Sequence, residues 1–315
     1  MKHMYPIKVD PVYTYAIWGG DRLAKIRNNP ASHGSSWDLS AHPHADATVR
    51  NGVYKGKTLI QMLDEYPKEM LGEKKRSEML RISIIDTSQS LSIQVHPNTE
   101  YAHKYENDEG KSEAWYIIEA DPGSKLIAGT TAKDVEEIKK AVAEDKIEDL
   151  VIRHPMEEGD FIYIGEGELH SMGANMMALE ISKNSDVTYR FYDFHRKDAN
   201  GNERELHLQK SYDVVDCSKR SEKTSHPLSE KKINEPVNIQ DGDDFCADIV
   251  DVEGEYVLKQ DKKRFYCLSN VSNNAELVYE GETMPFDYAE NIFIPAECSD
   301  VTIKGSARII ISYVK

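Results

Sequence analysis

Short runs of alternating apolar and polar residues, separated by turns rich in glycine, are the feature of this 315-residue chain that most constrains its fold. Alternation with a period of two is typical of β-strands, in which successive side chains point to opposite faces. Clear examples are SLSIQVHPN, GKSEAWYII, GDFIYIGEGELHSMG and DVTYRFYDF. The pattern predicts a mainly β protein with a few helices, in which antiparallel strands enclose a shared interior.

Four side chains that can bind a metal ion lie within these predicted strands. Gln94 and His96 are two residues apart and therefore point to the same face of one strand. Glu113 and His170 lie in two further strands. A neutral amide, two imidazoles and one carboxylate suit Zn²⁺ or a similar divalent ion and leave room for water or substrate. The sequence therefore predicts a metal centre with an open coordination position.

A second pair of histidines, His42 and His44, is also two residues apart. No carboxylate or third histidine accompanies this pair at a useful local spacing, and the surrounding stretch is rich in Ser and Asp. We interpret AHPHAD as a loop near the rim of a pocket and leave both histidines out of the predicted metal site.

The segments around the four donors resemble those of the type I mannose-6-phosphate isomerases, which have the cupin fold, and the similarity is greatest to the short bacterial form. IQVHPN, GKSEAWYI and GEGELHSMG resemble the ligand segments, and the remaining matches, in family order, include YAIWGGDRL, SSWDLSAHPHADATVRNGVYKGKTL and SDVTYRFYDFHR. The resemblance runs from about residue 12 to about residue 212 and continues more weakly to the C-terminus. It implies one Zn²⁺ per chain, bound by Gln94, His96, Glu113 and His170.

The resemblance implies a metal-dependent aldose-ketose isomerase that interconverts mannose 6-phosphate and fructose 6-phosphate through a cis-enediol. It also implies that Lys111 and Arg190 are catalytic: Lys111 in the sugar-phosphate pocket, and Arg190 facing an enediolate or phosphate oxygen pair. An ion pair of Arg190 with Asp186 or Asp193 is the structural alternative. The general base is not singled out and could be a metal-bound water or a carboxylate elsewhere in the chain.

Two other functions remain open at this stage. One is a different metal-dependent cupin enzyme, either another sugar isomerase or an oxygenase, because fold does not fix function. The other is a catalytically silent protein that binds a sugar phosphate. This second alternative arises from two departures from the family pattern, at Ser35, where relatives commonly have glutamate (GESW), and at Ser83, where they have lysine (VKLID). Joint loss of opposite charges is neutral if the two side chains pair in relatives.

The chain is predicted to be a duplicated cupin-type jelly-roll barrel with metal only in its first half. Residues 1–213 form the metal-binding catalytic domain, with N-terminal strands and inserted helices. Residues 214–237 are a polar connector, and residues 238–315 form a degenerate, metal-free cupin-like β domain. Helices are predicted at residues 57–72, ending at Gly72, and at residues 130–152, opening with a capping-box-like spacing from Thr131 to Asp134.

The acidic character of the chain limits its partners. Its formal net charge of −16 argues against nucleic acid or an anionic membrane, which require a basic surface. The same charge would repel a sugar phosphate, so any phosphate subsite must be a local cluster of basic groups. No apolar run approaches the length of a membrane helix, and the chain is predicted to be soluble and cytoplasmic. Oligomeric state is left open. The four cysteines lack CxxC spacing and are predicted to be free or buried thiols: Cys217, Cys246, Cys267 and Cys298.

Overall fold

The computed structural model describes residues 4–30 and 33–315 and bears out a mainly β protein with a few short helices. In the first 200 residues the strands are β1 (Ile7–Asp10), β2 (Val12–Tyr15), β3 (Gly34–Leu39), β4 (Ala41–His42), β5 (Ala45–Asp46), β6 (Thr48–Val49), β7 (Leu80–Thr87), β8 (Ile93–Val95), β9 (Glu113–Ala120), β10 (Lys125–Thr130), β11 (Val151–Pro155), β12 (Asp160–Ile164), β13 (His170–Met172), β14 (Met176–Lys183) and β15 (Tyr189–Tyr192). The remaining strands are β16 (Thr224–Ser225), β17 (Val237–Asp241), β18 (Cys246–Leu258), β19 (Tyr266–Asn270), β20 (Ala275–Tyr279), β21 (Glu282–Phe286), β22 (Asn291–Ile294) and β23 (Val301–Tyr313). The α-helices are α1 (Arg22–Ile26), α2 (Leu59–Glu65), α3 (Pro67–Leu71), α4 (Thr99–Tyr105), α5 (Val135–Ala143) and α6 (Leu208–Val214).

Two antiparallel sheets form the first half of the molecule. The larger has seven strands in the order β16-β12-β9-β14-β7-β3-β2, and the smaller has five in the order β11-β10-β13-β8-β15. Apolar side chains from both sheets pack into one core, among them Trp115 and Ile117 from β9 and Leu126 and Met172 from the smaller sheet. The inner faces of the two sheets are therefore opposed, and this opposition creates the shared interior that the alternating pattern predicts.

The seven-stranded sheet is buried on both faces. Alternate residues of β7, such as Ile82 and Ile84, belong to a second core that also contains Ala247 of β18 and Cys267 of β19. Residues between them, Arg81, Ser83 and Ile85, face the opposite way because side chains alternate along a strand. This double burial explains why β7 is buried along its whole length.

The third sheet is built mainly from the last eighty residues. Its longest strands, β18 and β23, pair with each other along 13 residues each. The segments VTIKG and ARIIISY form the single strand β23, in which Gly305 lies opposite Gly254 without interrupting the pairing. The N-terminal strand β1 also joins this sheet, between β22 and β6. The division into residues 1–213, 214–237 and 238–315 stays a prediction.

The prediction of one continuous helix at residues 57–72 is wrong. It is divided into α2 and α3 at Pro67, which cannot donate a backbone hydrogen bond and begins α3 at its first position. Thr58 and Gln61 form a reciprocal capping box at the start of α2, and Gly72, at φ 68°, ends α3 as predicted.

The helix predicted at residues 130–152 is shorter than expected. Helix α5 begins after Asp134, whose carboxylate accepts a hydrogen bond from the Glu137 amide, so the cap is Asp134 rather than Thr131. Ile138 of α5 and Ile147, which lies in a following 3₁₀ turn, pack with the outward-facing residues of the five-stranded sheet. The helix therefore covers the outer face of that sheet.

All four cysteines are free thiols, and three of them are buried, which confirms the prediction against a disulfide framework. In the part of the chain that the structure describes, no helix has the length and apolar character needed to cross a membrane.

Candidate metal centre and its cleft

The five-stranded sheet aligns three of the predicted site residues across neighbouring strands. Gln94 on β8 lies directly opposite His170 on β13 and, on its other side, opposite Arg190 on β15. Directly opposed residues of antiparallel strands project from the same face of the sheet. The flanking residues Ile93 and Val95 point outward into the core beneath α5. The alternation of apolar and polar residues in SIQVH therefore turns Gln94 inward.

The seven-stranded sheet supplies the carboxylate. Glu113 is the first residue of β9, opposite Ser182 of β14, and its side chain is fully buried. His96 lies one residue beyond the end of β8 and closes the cluster from the smaller sheet. Both sheets thus contribute donors, and the candidate centre lies between them.

The three buried ionisable donors meet at short distances. Glu113 Oε2 lies 3.3 Å from His96 Nε2, and Glu113 Oε1 lies 3.4 Å from His170 Nε2. The Gln94 amide nitrogen lies 3.3 Å from the same His170 Nε2. All four predicted donors are therefore brought together, and the ligand atoms of the two histidines and Glu113 lie within 4.8 Å of one another, close enough to hold one ion.

Backbone carbonyls determine which nitrogen of each imidazole faces the cluster. His96 Nδ1 lies 2.7 Å from the Val187 carbonyl oxygen, and His170 Nδ1 lies 2.7 Å from the Glu168 carbonyl oxygen. Since a carbonyl only accepts hydrogen bonds, each Nδ1 must carry the proton and donate it. Each Nε2 is then left with a free lone pair directed at Glu113, the arrangement that metal-binding histidines adopt.

The electrostatics of the cluster favour neutral imidazoles and an ionised carboxylate. Burial lowers the pKa of His170 to about 4, and the neighbouring His96 adds to the effect. Burial and the charge of Lys111 also lower the pKa of His96. Burial alone would raise the pKa of Glu113, but Lys111 and the two histidines hold it well below its usual range. These are the protonation states in which all three groups can bind a cation.

Lys111 lies beside the carboxylate, in the loop before β9 rather than in the strand. Its Nζ is 2.7 Å from Glu113 Oε2, and its backbone amide donates to the Pro97 carbonyl, which fixes the loop. Gly110 makes this close approach feasible, because a Cβ there would lie 2.3 Å from the backbone nitrogen of Thr99. Lys111 therefore lies next to Glu113 although it is not part of the strand.

A second buried carboxylate, Glu180, was missed by the sequence reasoning. It lies on β14 opposite Ser83 and Trp115, and its Oε1 is 3.5 Å from Lys111 Nζ and 2.7 Å from Arg81 Nη2. Burial raises its pKa, but the charges of Lys111 and Arg81 lower it overall. The only sequence signal is its place in the alternating segment MMALEIS, since Arg81, Ser83 and Trp115 come from other strands and Lys111 comes from a loop.

A cleft of about 340 Å³ opens over this arrangement. Gln94, Lys111 and Glu180 line its floor together with Arg81 and Arg190. The alternative ion pairs of Arg190 are not formed, since Asp186 pairs with His44 and Asp193 with Arg196 and Arg204. Within residues 4–30 and 33–315 no carboxylate lies within ion-pair distance of the Arg190 guanidinium, whose Nε is buried without a hydrogen-bond partner. Burial and the nearby Arg204 lower the pKa of Arg190.

His42 and His44 do acquire acidic neighbours, which come from distant parts of the sequence. His44 Nδ1 lies 2.9 Å from Asp186, and His42 Nε2 lies 3.2 Å from Asp108. However, His42 Nδ1 accepts a hydrogen bond from the His44 backbone amide, so Nε2 must carry the proton and donate it to Asp108. Both ring nitrogens of His42 are thus already used within the protein, which makes this cluster the weaker metal candidate.

A larger cavity, of about 570 Å³, lies between the N-terminal strands and the C-terminal sheet. Four of its five charged side chains are paired with one another, Arg27 with Asp38 and Arg50 with Glu290. It is lined by none of the predicted donors, so the smaller cleft is the better functional candidate.

Comparison with known proteins gives matches to two family models and to curated relatives. Residues 7–116 match the model of the type I phosphomannose isomerase catalytic domain, and residues 237–314 match the mannose-6-phosphate isomerase cupin domain. Mannose-6-phosphate isomerase ManA of Bacillus subtilis (strain 168) is 33% identical over 315 residues, covering 98% of this chain and 99% of the relative. The mannose-6-phosphate isomerase of Streptococcus mutans serotype c is 41% identical over 217 residues, 68% of each chain.

Solved structures have the same architecture. The mannose 6-phosphate isomerase from Bacillus subtilis superposes with a TM-score of 0.87 at 33% identity, covering 99% of this chain and all of the other. A mannose 6-phosphate isomerase described as zinc-bound superposes with a TM-score of 0.75 at 16% identity, which establishes likeness of fold.

Proposed function

This chain belongs to the type I mannose-6-phosphate isomerases, and from that membership we propose how its buried donors and its cleft carry out the reaction. The enzyme interconverts mannose 6-phosphate and fructose 6-phosphate. The alternatives of an oxygenase and of a silent binding protein find no support in these relatives, each named an isomerase. The residues and the metal that follow are proposals.

We propose that Gln94, His96, Glu113 and His170 hold one Zn²⁺. The observation that carries this is a pair of buried atoms without partners, His96 Nε2 and Glu113 Oε1, beside Glu113 Oε2, which is paired with Lys111; the ligand atoms of the three donors lie within 4.8 Å of one another. Unsatisfied buried polar groups are costly, and a bound cation would satisfy all of them at once. Imidazole nitrogens and a carboxylate are typical Zn²⁺ ligands, and the metal in the zinc-bound relative agrees with this choice.

Gln94 can join this set at little cost. Its Oε1 accepts a hydrogen bond from the Ser92 hydroxyl at 3.0 Å, while its Nε2 faces His170. A half-turn of the amide would direct Oε1 toward the metal and leave Nε2 to donate to the same hydroxyl, which can also accept. The hydrogen bond between Gln94 Nε2 and His170 Nε2 would be lost, and bonds of both groups to the cation would replace it.

The isomerisation moves a proton between C2 and C1 of the sugar, so it needs a proton carrier and positive charge near the oxygen that becomes anionic. Zn²⁺ bound here would supply Lewis acidity toward the O1 and O2 edge of the sugar. We propose that Glu180 carries the proton, because it is an ionised carboxylate on the cleft floor. Lys111 and Arg190 would hold the developing enediolate from two sides of the cleft.

We further propose the division into a catalytic cupin domain at residues 1–213, a connector at 214–237 and a metal-free cupin domain at 238–315. The cupin model that matches residues 237–314 supports the last boundary. Among the described residues, the clusters of potential metal ligands all lie before residue 187.

The test is conversion of mannose 6-phosphate to fructose 6-phosphate by the purified protein, as isolated, after chelation and after Zn²⁺ is restored. We expect activity to be lost on chelation and regained with zinc. His170→Ala should reduce zinc content and lower kcat/KM by about a thousandfold or more, as loss of a catalytic metal does. The matched control is His195→Ala, at an exposed histidine paired with Asp145. A folded His170→Ala protein that keeps full zinc and activity would overturn the proposed site.

A further inference from the structure

Strand β7 carries both Ser83 and Arg81, and Arg81 has no role in the reaction proposed above. Ser83 is the position where relatives of this family commonly have a lysine. Arg81 and Ser83 are two residues apart on β7 and therefore share the inner face of the sheet. Arg81 is almost completely buried yet lines the cleft.

The Arg81 guanidinium contacts the two cross-strand partners of Ser83. Arg81 is paired with Ser182 of β14, whereas Ser83 is paired with Glu180 on one side and Trp37 on the other. The guanidinium contacts both partners of Ser83: its Nη2 donates to Glu180 at 2.7 Å, and its Cζ lies 4.1 Å from the centre of the Trp37 ring. The arginine thus occupies the space that a long side chain at position 83 would fill.

Position 35, where relatives commonly have glutamate and this chain has serine, also bears on the space that Arg81 occupies. Ser35 of β3 is paired with Ile85, so it is the diagonal neighbour of Ser83 on the same face. Long side chains at such diagonal positions can reach each other. Serine at both positions removes the pair that relatives can form there and leaves room for the Arg81 side chain.

Part of the Arg81 guanidinium is unused within the protein. Nη1 donates to the Ser185 carbonyl and Nη2 to Glu180, but Nε is buried without a partner, as is the Ser83 hydroxyl. A buried donor without an acceptor is costly unless a ligand satisfies it. The Nε and Nη pair of an arginine matches two oxygens of a phosphate group.

The position of Arg81 along the cleft identifies the part of the substrate that it meets. Contacts run outward from the donor cluster, from Glu113 to Lys111, from Lys111 to Glu180, and from Glu180 to Arg81. C1 and C2 must lie near the donor cluster in the proposed site, and the phosphate on C6 lies at the far end of the sugar. In a chain of net charge −16, the cleft is nevertheless lined by four cationic side chains and two carboxylates.

We propose that Arg81 binds the phosphate of the sugar substrate and replaces the lysine that relatives carry at position 83. The inference rests on the proposed site at Glu113 and Glu180 for its orientation along the cleft. Arg81 is then a specificity residue particular to this chain: it recognises the phosphate monoester and leaves the proton transfer to other groups.

The test is the kinetic split between KM and kcat in Arg81→Gln, with zinc content and thermal unfolding measured alongside. We expect KM for mannose 6-phosphate to rise at least about tenfold and kcat to fall by a smaller factor, because the phosphate contact is uniform binding, whereas Arg81 affects the proton transfer only as the ion-pair partner of Glu180. Competitive inhibition by inorganic phosphate should weaken by a similar factor. The matched control is Arg153→Gln, at an exposed arginine paired with Glu148, which should leave KM and inhibition unchanged.

A rescue variant distinguishes loss of phosphate binding from misfolding. Arg81→Leu combined with Ser35→Glu and Ser83→Lys restores the charges of relatives, and we expect KM to return to within about threefold of the original value. A fall in kcat at unchanged KM would mean that Arg81 acts only through Glu180 and would overturn the proposal. If the unmodified enzyme lacks isomerase activity, the proposed function fails, and calorimetric binding of inorganic phosphate to the original protein and Arg81→Gln still decides the role of Arg81.

Discussion

At the scale of single residues, the protonation states of the donor cluster favour binding of a cation. His170 is neutral in the folded protein, since its pKa is lowered to about 4 from the 6.5 of an exposed histidine. The unfolded chain therefore binds more protons than the folded chain between these two pH values. Stability conferred by the neutral imidazole is present above pH 6.5 and is lost as the pH falls toward 4.

For the zinc-free protein we predict a decrease in the free energy of unfolding as the pH falls from about 6.5 to about 4, with up to about 3 kcal/mol arising from His170. Urea unfolding in the presence of chelator, at a series of pH values, measures this. His170→Asn, which cannot titrate, should show a flatter pH dependence. Equal slopes for the two proteins would contradict the prediction.

Glu180 provides a second test at this scale. Glu180→Gln removes the ionised carboxylate while keeping the shape of the side chain, and we predict a fall in kcat of about 10² to 10⁴, the usual contribution of a proton-transfer group. Zinc content should not change, because Glu180 is not among the proposed ligands. Glu148→Gln, at an exposed glutamate, is the control. Near-normal turnover in Glu180→Gln would assign the proton transfer to another group.

Some residues of the candidate site could be predicted from the sequence, and others could not. Gln94 and His96 could be predicted because a spacing of two places both donors on one side of a strand. Glu180 could not, because nothing in MMALEIS distinguishes a carboxylate at a site from one that faces solvent. Its role depends on Lys111 and Arg81, which are 69 and 99 residues away along the chain, and the pairing of β14 with its neighbours is needed to bring them together.

At the scale of elements, the loop between α4 and β9 determines where Lys111 lies. Gly110→Ala would introduce a Cβ 2.3 Å from the Thr99 backbone nitrogen and 2.5 Å from the Asn98 carbonyl carbon, at the start of α4. We predict destabilisation of about 2 to 3 kcal/mol, as for overpacking at a rigid site, together with reduced kcat/KM. Chemical unfolding and the isomerase assay measure the two effects.

The matched control for this loop is Gly165→Ala. A Cβ there would meet the Tyr163 ring at an ordinary contact distance of 3.6 Å, so we expect a change of less than about 0.5 kcal/mol. If both alanine variants behaved alike, crowding at Gly110 would not be what fixes the loop.

Elements also show where local patterns mislead. The apolar positions of residues 57–72 fit one helix, but the missing amide hydrogen of Pro67 outweighs them and gives two short helices. Conversely, VTIKG and ARIIISY look like separate strands, because a glycine separates them, yet pairing with β18 joins them. The helix break has a local cause that the sequence contains, whereas the continuity of β23 depends on a partner strand that a local pattern does not include.

At the scale of the whole molecule, one buried arginine connects the third sheet to the seven-stranded sheet. Arg308 of β23 donates to both carboxylate oxygens of Asp251 on β18, at 2.7 and 2.8 Å. It also donates to the Tyr116 hydroxyl of β9 at 3.1 Å and to the His226 carbonyl. A guanidinium with this many acceptors fixes the positions of the segments around it.

Arg308→Met should destabilise the protein by about 3 to 5 kcal/mol, because Asp251 would be left as a buried charge without a partner. The double variant Asp251→Asn, Arg308→Met removes both charges and should recover most of that loss. Urea unfolding of the two variants and the original protein gives the comparison. A double variant no more stable than Arg308→Met would show that packing, rather than charge, dominates at this position.

The place of β1 in the third sheet has a consequence for how the protein is made. Ile7 pairs with Phe293, so β1 needs a neighbour encoded 286 residues later. At typical elongation rates, that neighbour is synthesised on the order of tens of seconds after β1. Val9 pairs with Val49 on the other edge of β1, so that edge can be covered much earlier. One edge of β1 therefore stays unpaired until β22 has been synthesised.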